Sequence, residues 1–229
     1  MDNQKFLVTF FNKIYEDEVN TLILNDKDYI VPQNKVVAYI REAISIPYQE
    51  YLNYIAALKP AQFGSNDITQ CSNFESCEID MCKGMLWANN PGMKFIEIGN
   101  LFPNNVKVKN KIALTKYGEN QVKTSTQLGL TYKRHSYWYL SCLGYVYPDL
   151  DEDERKALLA RTILRAPFYQ CMMVDLMLHD TCPADYMNQL SISTQKRRES
   201  GVAKILHICL DACKKECVPI HQLRLKYSS

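Results

Sequence analysis

The sequence predicts a mainly α-helical protein of the α+β class, and three observations lead to that prediction. First, apolar residues recur three or four positions apart in several long segments, which is the spacing of an amphipathic helix. Second, an acidic run from Asp149 to Glu154 precedes one such segment, and acids are favoured in the first turn of a helix. Third, the alternation typical of strands occurs only in short stretches. A chain of 229 residues that is 47% hydrophobic can bury a full core.

Composition divides the chain into three parts. Residues 1–60 are predicted to form a helical N-terminal domain with a short hairpin at Thr21–Val31, because most apolar residues there follow helical spacing. Residues 61–92 are predicted to be a linker or an irregular cysteine-containing segment, since they are rich in Gly, Asn, Ser and Pro. The periodicity returns in residues 93–229, which are predicted to form a third part.

A helix-turn-helix is predicted around Gly129. Asn120–Leu128 is predicted to be its first helix, and Thr131–Leu143 is predicted to be a second helix that presents cationic side chains outward. Alternating apolar residues predict short strands at Lys107–Leu114 and Tyr145–Tyr147. The order of basic strand, helix, turn, helix and short strand is typical of a winged helix, which we therefore predict as the core of the third part.

Further helices are predicted on both sides of this core. Met93–Phe102 is either a strand or a short helix, because its apolar residues fit both spacings. Glu152–Leu164 and Pro167–Leu178 are predicted helices, the second of them started by its proline. Thr194 is predicted to cap a final long helix, whose apolar face follows helical spacing through Leu210.

The distribution of charge favours a polyanionic partner for the second half. The net charge is only +2, but residues 1–92 hold seven basic and twelve acidic side chains, whereas residues 93–229 hold twenty and thirteen. Residues 107–135 alone carry seven basic side chains against one acid. Such a segment can neutralise several phosphates of a nucleic acid. The alternative is a solvated basic helix pair over an aromatic core, with no partner.

We therefore expect the chain to bind double-stranded DNA. In this interpretation the second helix enters the major groove, where Lys133 or Arg134 can read guanine. The residues expected in the groove are Tyr132, Lys133, Arg134 and Ser136. The residues expected on phosphates are Lys107, Lys109, Lys111, Lys123, Thr124, Lys196, Arg197 and Arg198.

About half of the chain also carries short motifs of a known kind. They are Leu114–Gly118, Lys123–Leu130, Tyr137–Val146, Ile163–Phe168 and Ser193–Val202. On these motifs the chain resembles the winged-helix and helical DNA-binding region of bacterial type II restriction endonucleases and related restriction-modification or defence proteins. The resemblance implies DNA binding in such a setting, in a homodimer or a larger complex. One departure is that the final helix has cysteines where those proteins more often have aromatic residues.

Cysteine spacing raises the question of a metal. The weak candidate ligands for zinc are Cys71, Cys77 and Cys82, although their spacing is looser than that of a zinc knuckle and a plain loop is the competing interpretation. A second candidate set is Cys209, Cys213, Cys217 and His221, where cysteines at helical spacing are more typical of small core residues.

An enzyme is the less favoured interpretation. The alternative is a small magnesium-dependent type II restriction endonuclease with a divergent active site, for which Asp80 and Glu97 are candidate acids. The pair Pro148-Asp149 with Glu154-Arg155-Lys156 resembles a nuclease signature but falls at a single helix start. A further alternative is a protein-interaction subunit that does not contact DNA.

The N-terminal sequence predicts a cytoplasmic protein of prokaryotic or viral origin. Its first residues lack the basic region of a secretory signal, and the apolar stretch Phe6–Phe11 is too short to cross a bilayer. The odd number of cysteines, nine, favours reduced thiols or metal ligands over a set of disulfides. No membrane partner is expected.

Overall fold

The computed structural model describes residues 33–58, 61–68, 76–88, 92–102 and 110–227. In these residues the chain is mainly helical with one two-stranded antiparallel sheet, so the mainly α-helical prediction is confirmed. The elements are α1 (Gln33–Ser45), α2 (Tyr48–Ala57), α3 (Ser76–Trp87), α4 (Phe95–Asn100), α5 (Lys111–Gln127), β1 (Thr131–Arg134), β2 (Tyr137–Leu140), α6 (Cys142–Val146), α7 (Glu152–Thr162), α8 (Pro167–Leu176) and α9 (Ile192–Lys215). Short 3-10 turns lie at Tyr147–Asp149, Ile163–Arg165 and Pro183–Tyr186.

The first two helices pack into the same core as the later ones. Helix α1 packs on α6 and α7, and α2 packs on α8 and α9. Buried apolar residues from Val36 to Val218 form one cluster. The described helices before residue 60, assigned to a separate domain by the sequence, thus share a core with the helices after residue 93. The predicted hairpin at Thr21–Val31 lies outside the described residues. Residues 61–92 are predicted to be a linker or an irregular segment, which is wrong for the part of them that forms α3.

Buried Arg161 joins α1 to α7. Its side chain is 1% exposed. Its Nη2 donates to the carbonyl oxygens of Ile44 at 3.1 Å and Ile46 at 2.7 Å, at the end of α1. The guanidinium carbon lies 5.3 Å from the ring centroid of Tyr48 and 5.8 Å from that of Tyr51. A cation therefore satisfies carbonyl groups that the end of a helix leaves unpaired.

Helices α4 and α5 are in close contact because two glycines meet there. A β-carbon on Gly99 would overlap the carbonyl oxygen of Leu114, and one on Gly118 would overlap the carbonyl oxygen of Phe95. The segment Met93–Phe102, predicted as strand or helix, contains α4. Helix α5 is seventeen residues long, and the Asn110 side chain accepts from two amides of its first turn. The strand predicted at Lys107–Leu114 is therefore wrong for residues 111–114.

The turn that closes helix α5 contains Gly129, where the sequence predicts that the helix breaks. Gly129 has a φ of 75°, and the amide of Leu130 donates to the carbonyl of Ser125 at 2.9 Å. The amide of Gly129 donates to Thr126 at 3.0 Å. These two bonds form a Schellman motif, in which a residue with positive φ closes a helix.

The predicted second helix, Thr131–Leu143, is wrong, because a β-hairpin occupies most of that segment. Thr131 pairs with Leu140 and Arg134 pairs with Tyr137, which leaves His135 and Ser136 as a two-residue turn. β-Branched and aromatic residues dominate both strands, and such residues favour a pleated, half-buried surface. The predicted strand at Tyr145–Tyr147 is also wrong, since that segment ends α6 and begins a 3-10 turn.

Substitutions at His135 in the hairpin turn test directly whether this segment is a hairpin. His135 has a φ of 55°, a conformation that glycine adopts freely and β-branched residues avoid. We expect His135→Val to lower the free energy of unfolding by about 1–2 kcal/mol and His135→Gly to leave it nearly unchanged. Thermal unfolding of the two variants measures the difference. If residues 131–143 formed a helix, valine would be the better tolerated of the two.

The later helices agree closely with the sequence. Glu152–Leu164 and Pro167–Leu178 were predicted, and α7 and α8 lie within those bounds. Asp151 and Glu154 form a capping box at the start of α7. Helix α9 is long, as predicted, but Ser191 rather than Thr194 is its N-cap, and its Oγ accepts from the Thr194 amide at 3.4 Å. In the described part of the chain, no helix is both long and apolar enough to cross a bilayer.

Candidate nucleic-acid interface

The hairpin carries the residues predicted to read DNA, although on strands instead of a helix. Its register places Lys133 opposite Trp138 and Arg134 opposite Tyr137. Trp138 is 9% exposed and faces the core, whereas Tyr137 is 38% exposed. Because paired residues of two strands share a face of the sheet, Arg134 and Tyr137 lie on its outer side. The predicted roles of Tyr132, Lys133, Arg134 and Ser136 on a major-groove helix are therefore wrong.

Lys94 lies beside this hairpin. The amide of Met93 donates to the carbonyl of Trp138 and the amide of Trp138 donates to the carbonyl of Met93, both at 2.9 Å. Met93 thus forms a single antiparallel bridge to β2. Lys94 Nζ lies 5.4 Å from the ring centroid of Tyr137. We call the exposed residues of this region the hairpin surface: Lys94, Lys133, Arg134, His135, Ser136 and Tyr137.

The two lysines of the hairpin surface contact aromatic rings. Lys133 Nζ lies 5.2 Å from the ring centroid of Trp138, on the face of the sheet that these two paired residues share, and Lys94 lies over Tyr137 on the opposite face. Within the described residues, neither lysine has a carboxylate partner. The nearby Glu97 carboxylate accepts from the backbone amide of Lys94 at 2.6 Å and so caps α4. A cation–π contact orients an ammonium group without cancelling its charge, so this surface keeps its positive potential.

The predicted phosphate contacts on α5 differ from one another. Lys111 is exposed in the first turn. Lys123 bonds to Glu119 at 2.7 Å, and Lys116 bonds to the same carboxylate at 2.8 Å. Hydrogen bonds from these two lysines lower the pKa of Glu119, which keeps the acid charged and offsets the local cations. Thr124 is fully buried and donates to the Asn120 carbonyl at 3.1 Å, so its prediction as a DNA contact is wrong.

The start of α9 forms a second cationic surface. Lys196 and Arg197 are exposed, and Lys196 Nζ lies 5.6 Å from the ring centroid of Tyr227. Arg198 is different, because its Nη1 donates to the carbonyl of Ile68 and, at 3.5 Å, to that of Ser65. Arg198 therefore joins α9 to the loop at residues 61–68, and its contact with phosphate stays a prediction.

The predicted zinc ligands are only partly described. Cys71 lies outside the described residues, as do Lys107 and Lys109, and the side chain of Cys77 is not described. Cys82 is buried, and burial raises the pKa of its thiol well above the ordinary value. This opposes the thiolate that zinc requires. In the second candidate set, burial raises the thiol pKa of Cys209 and that of Cys213 to about 12.

Helix α3 holds a buried carboxyl group that the sequence did not single out. Glu78 is 1% exposed, and the hydroxyl of Ser125 donates to its Oε2. Its Oε1 has no hydrogen-bond partner among the described residues. Burial raises the pKa of Glu78 to about 7, against the lowering effect of the Ser125 hydrogen bond. Asp80, a candidate nuclease acid two residues later, is exposed instead.

No metal-binding cluster of three or more His, Cys, Asp or Glu side chains occurs in the described residues. Glu97, the other candidate nuclease acid, is the capping acid of α4. The magnesium-dependent endonuclease and the zinc site both stay predictions.

Comparison of the chain with family models, with curated proteins and with solved structures found no match in any of the three. The hairpin surface therefore has to be interpreted from its own chemistry.

Proposed function

We propose that the chain binds double-stranded DNA through the hairpin surface, in a restriction, modification or defence setting. The observation that carries the proposal is the pair of exposed lysines, Lys94 and Lys133, each held over an aromatic ring and each without a carboxylate partner in the described chain. Arg134, also exposed, directly follows Lys133 and precedes the turn. Lysine and arginine contacts to phosphates supply most of the affinity of proteins for DNA.

The order of elements supports a winged helix whose parts differ from those predicted from the sequence, because a hairpin and not a second helix follows α5. Helix α4 packs closely on α5, and α5 is followed directly by the β1–β2 hairpin. In a winged helix, two packed helices precede a two-stranded wing. In this proposal the hairpin surface is the wing, and Lys133 and Arg134 contact the phosphate backbone or the minor groove instead of reading the major groove.

The base of the hairpin is held firmly enough to present such a wing. The amide of Ser141 donates to Leu130 at 3.0 Å, and the Ser141 hydroxyl donates to Gly129 at 2.5 Å. The end of β2 is thereby bonded to the end of α5, so the two elements are fixed relative to each other. Lys111, Lys196 and Arg197 remain candidate phosphate contacts outside the hairpin, in a monomer, a homodimer or a larger complex.

Removing two cations of the hairpin surface tests the proposal. We expect Lys133→Ala/Arg134→Ala to weaken binding to a 20-base-pair duplex about 10- to 100-fold at low salt, because two phosphate contacts are lost. The slope of log K against log salt should become shallower by about two units. Fluorescence anisotropy over a salt series, in the presence of EDTA, measures both quantities.

A matched control is available on α5. Lys116→Ala/Lys123→Ala also removes two positive charges, but both are already paired with Glu119. We expect this variant to bind the duplex with a salt slope close to that of the unmodified chain. Equal losses in the two double variants would mean that net charge, and not the hairpin surface, governs binding. An unchanged affinity in the hairpin variant would refute the proposal.

A further inference from the structure

Helix α3 ends in an exposed tryptophan. The side chain of Trp87 is 92% exposed, the largest exposure among the large apolar residues of the described chain. Its neighbour Met85 is fully buried, so the helix itself is firmly packed. Leaving a large aromatic ring exposed to water costs free energy. Packing of the Trp87 side chain against its neighbours offsets little of that cost.

Trp87 belongs to a helix that packs beside the hairpin. Helix α3 packs against β2. A β-carbon on Gly92 would overlap the ring of Tyr139, so the chain at Gly92 crosses the outer face of β2. Gly92 comes five positions after Trp87 in the sequence. Fully extended chain covers at most about 3.6 Å per residue, so the Cα atoms of Trp87 and Gly92 are at most about 18 Å apart.

An exposed aromatic ring near lysine side chains is the combination that binds unstacked bases. Every base presents a π-face, and stacking on aromatic side chains combined with lysine or arginine contacts to phosphates is how single strands are held. An unpaired nucleotide offers its base face freely, whereas a duplex offers one only at its ends or where a base step is unstacked at an energetic cost, so a stacking tryptophan favours a single-stranded segment. With nucleotides about 3.4 Å apart along a stacked strand, 18 Å corresponds to about five nucleotides.

We propose that Trp87 is a base-stacking residue and that the preferred ligand is a duplex with an adjoining single-stranded segment. The hairpin surface binds the backbone of the duplex, and Trp87 stacks on an unpaired base within about five nucleotides of the junction. This proposal rests on the proposed function, from which it takes the duplex contact.

The test compares a blunt duplex with the same duplex carrying a ten-nucleotide single-stranded thymidine tail. We expect the unmodified chain to bind the tailed duplex about fivefold to a hundredfold more tightly, and Trp87→Ala to lose that advantage while binding the blunt duplex normally. Trp87→Phe keeps a π-face and should retain most of the advantage. Leu178→Ala removes another exposed apolar side chain, one that is 69% exposed, and should have no effect on either ligand.

Tryptophan fluorescence gives an independent readout, since the chain has only two tryptophans, Trp87 and Trp138. The tailed duplex should quench the unmodified chain more strongly than it quenches Trp87→Phe, in which only the buried tryptophan remains. Equal quenching, or equal preference of the unmodified chain and Trp87→Ala for the tailed duplex, would overturn the stacking proposal. Loss of binding to the blunt duplex on changing Lys133 and Arg134 would meanwhile still support the proposed function, so the two can fail separately.

Discussion

Replacing Arg161 by methionine is expected to lower the free energy of unfolding by about 2–4 kcal/mol, because two buried carbonyl groups at the end of α1 lose their donor. Methionine fills a similar volume but offers no hydrogen to Ile44 or Ile46, whose oxygens lie 3.1 and 2.7 Å from Nη2. Arg161→Met also removes the free-energy cost of burying a cation. The same burial lowers the pKa of Arg161 in the unmodified chain. The backbone carbonyl groups of Ile44 and Ile46 stay in place without a donor, so the net effect is a loss of stability.

Arg41 provides the matched control for this prediction. It joins the same two helices from the outside, through an ion pair in which its Nε lies 2.6 Å from Glu154 Oε1. Its side chain is 62% exposed, so water screens the pair, and we expect Arg41→Met to change stability little. Urea unfolding of both variants at one pH measures the difference. A loss in Arg161→Met no larger than that in Arg41→Met would contradict the role given to the buried arginine.

The second large effect is a dependence of stability on pH that comes from Glu78. Burial raises its pKa from 4.5 to about 7 in the folded chain. Between those two pH values the folded chain keeps a proton that the unfolded chain has lost, so stability falls as pH rises. At 1.36 kcal/mol per pH unit, the fall amounts to about 3 kcal/mol and is complete near pH 7.

Glu78→Gln removes the titration and should therefore flatten this part of the stability curve. Glutamine stays neutral at all pH values and its amide can bond to the Ser125 hydroxyl, which donates to Glu78 in the unmodified chain. We expect the variant to resemble the unmodified chain at pH 4.5 and to exceed it in stability at pH 8. Urea unfolding at several pH values tests this, since other groups contribute equally to both proteins. Parallel curves would show that the carboxyl group is not buried as described.

Local signals in the sequence were sufficient to predict most helices. Gly129 ends α5 because only a residue that tolerates a positive φ closes a Schellman motif, and glycine is the residue that does so most readily. The acids from Asp149 to Glu154 contain the capping box of α7. Helical spacing and caps depend on residues within one turn of each other, so they can be recognised without knowing the fold.

The hairpin was missed because its turn lacks the usual signal. Two-residue turns normally contain glycine or asparagine, whereas this one has His135 at a φ of 55°. Leu140 and Leu143, three positions apart, also fit a helical face, so the spacing of apolar residues did not distinguish a strand from a helix. The tie of Met93 to Trp138, which fixes β2, spans 45 residues of sequence and cannot be inferred from local patterns.

The sequence predicted that the candidate site is cationic, but it did not predict how the residues of the site are arranged. The spacing of Lys116, Glu119 and Lys123 is that of helical ion pairs, so the pairing of those lysines was open to prediction from the sequence. The bonds of Arg198 to carbonyl groups about 130 residues away were not. The exposure of Trp87 could not be predicted from the sequence, because tryptophan is usually largely buried and no local pattern marks this one as different.

The most direct test of DNA binding at the hairpin surface is a lysine footprint. The chain is acetylated at limiting reagent with and without saturating blunt duplex, and the modification of each lysine is measured by mass spectrometry. We predict strong protection of Lys94 and Lys133. The modification of Lys156, which is paired with Glu152, and of Lys215, which is paired with Asp153, should be unchanged. Protection at other lysines while Lys94 and Lys133 react at their free rates would contradict the account.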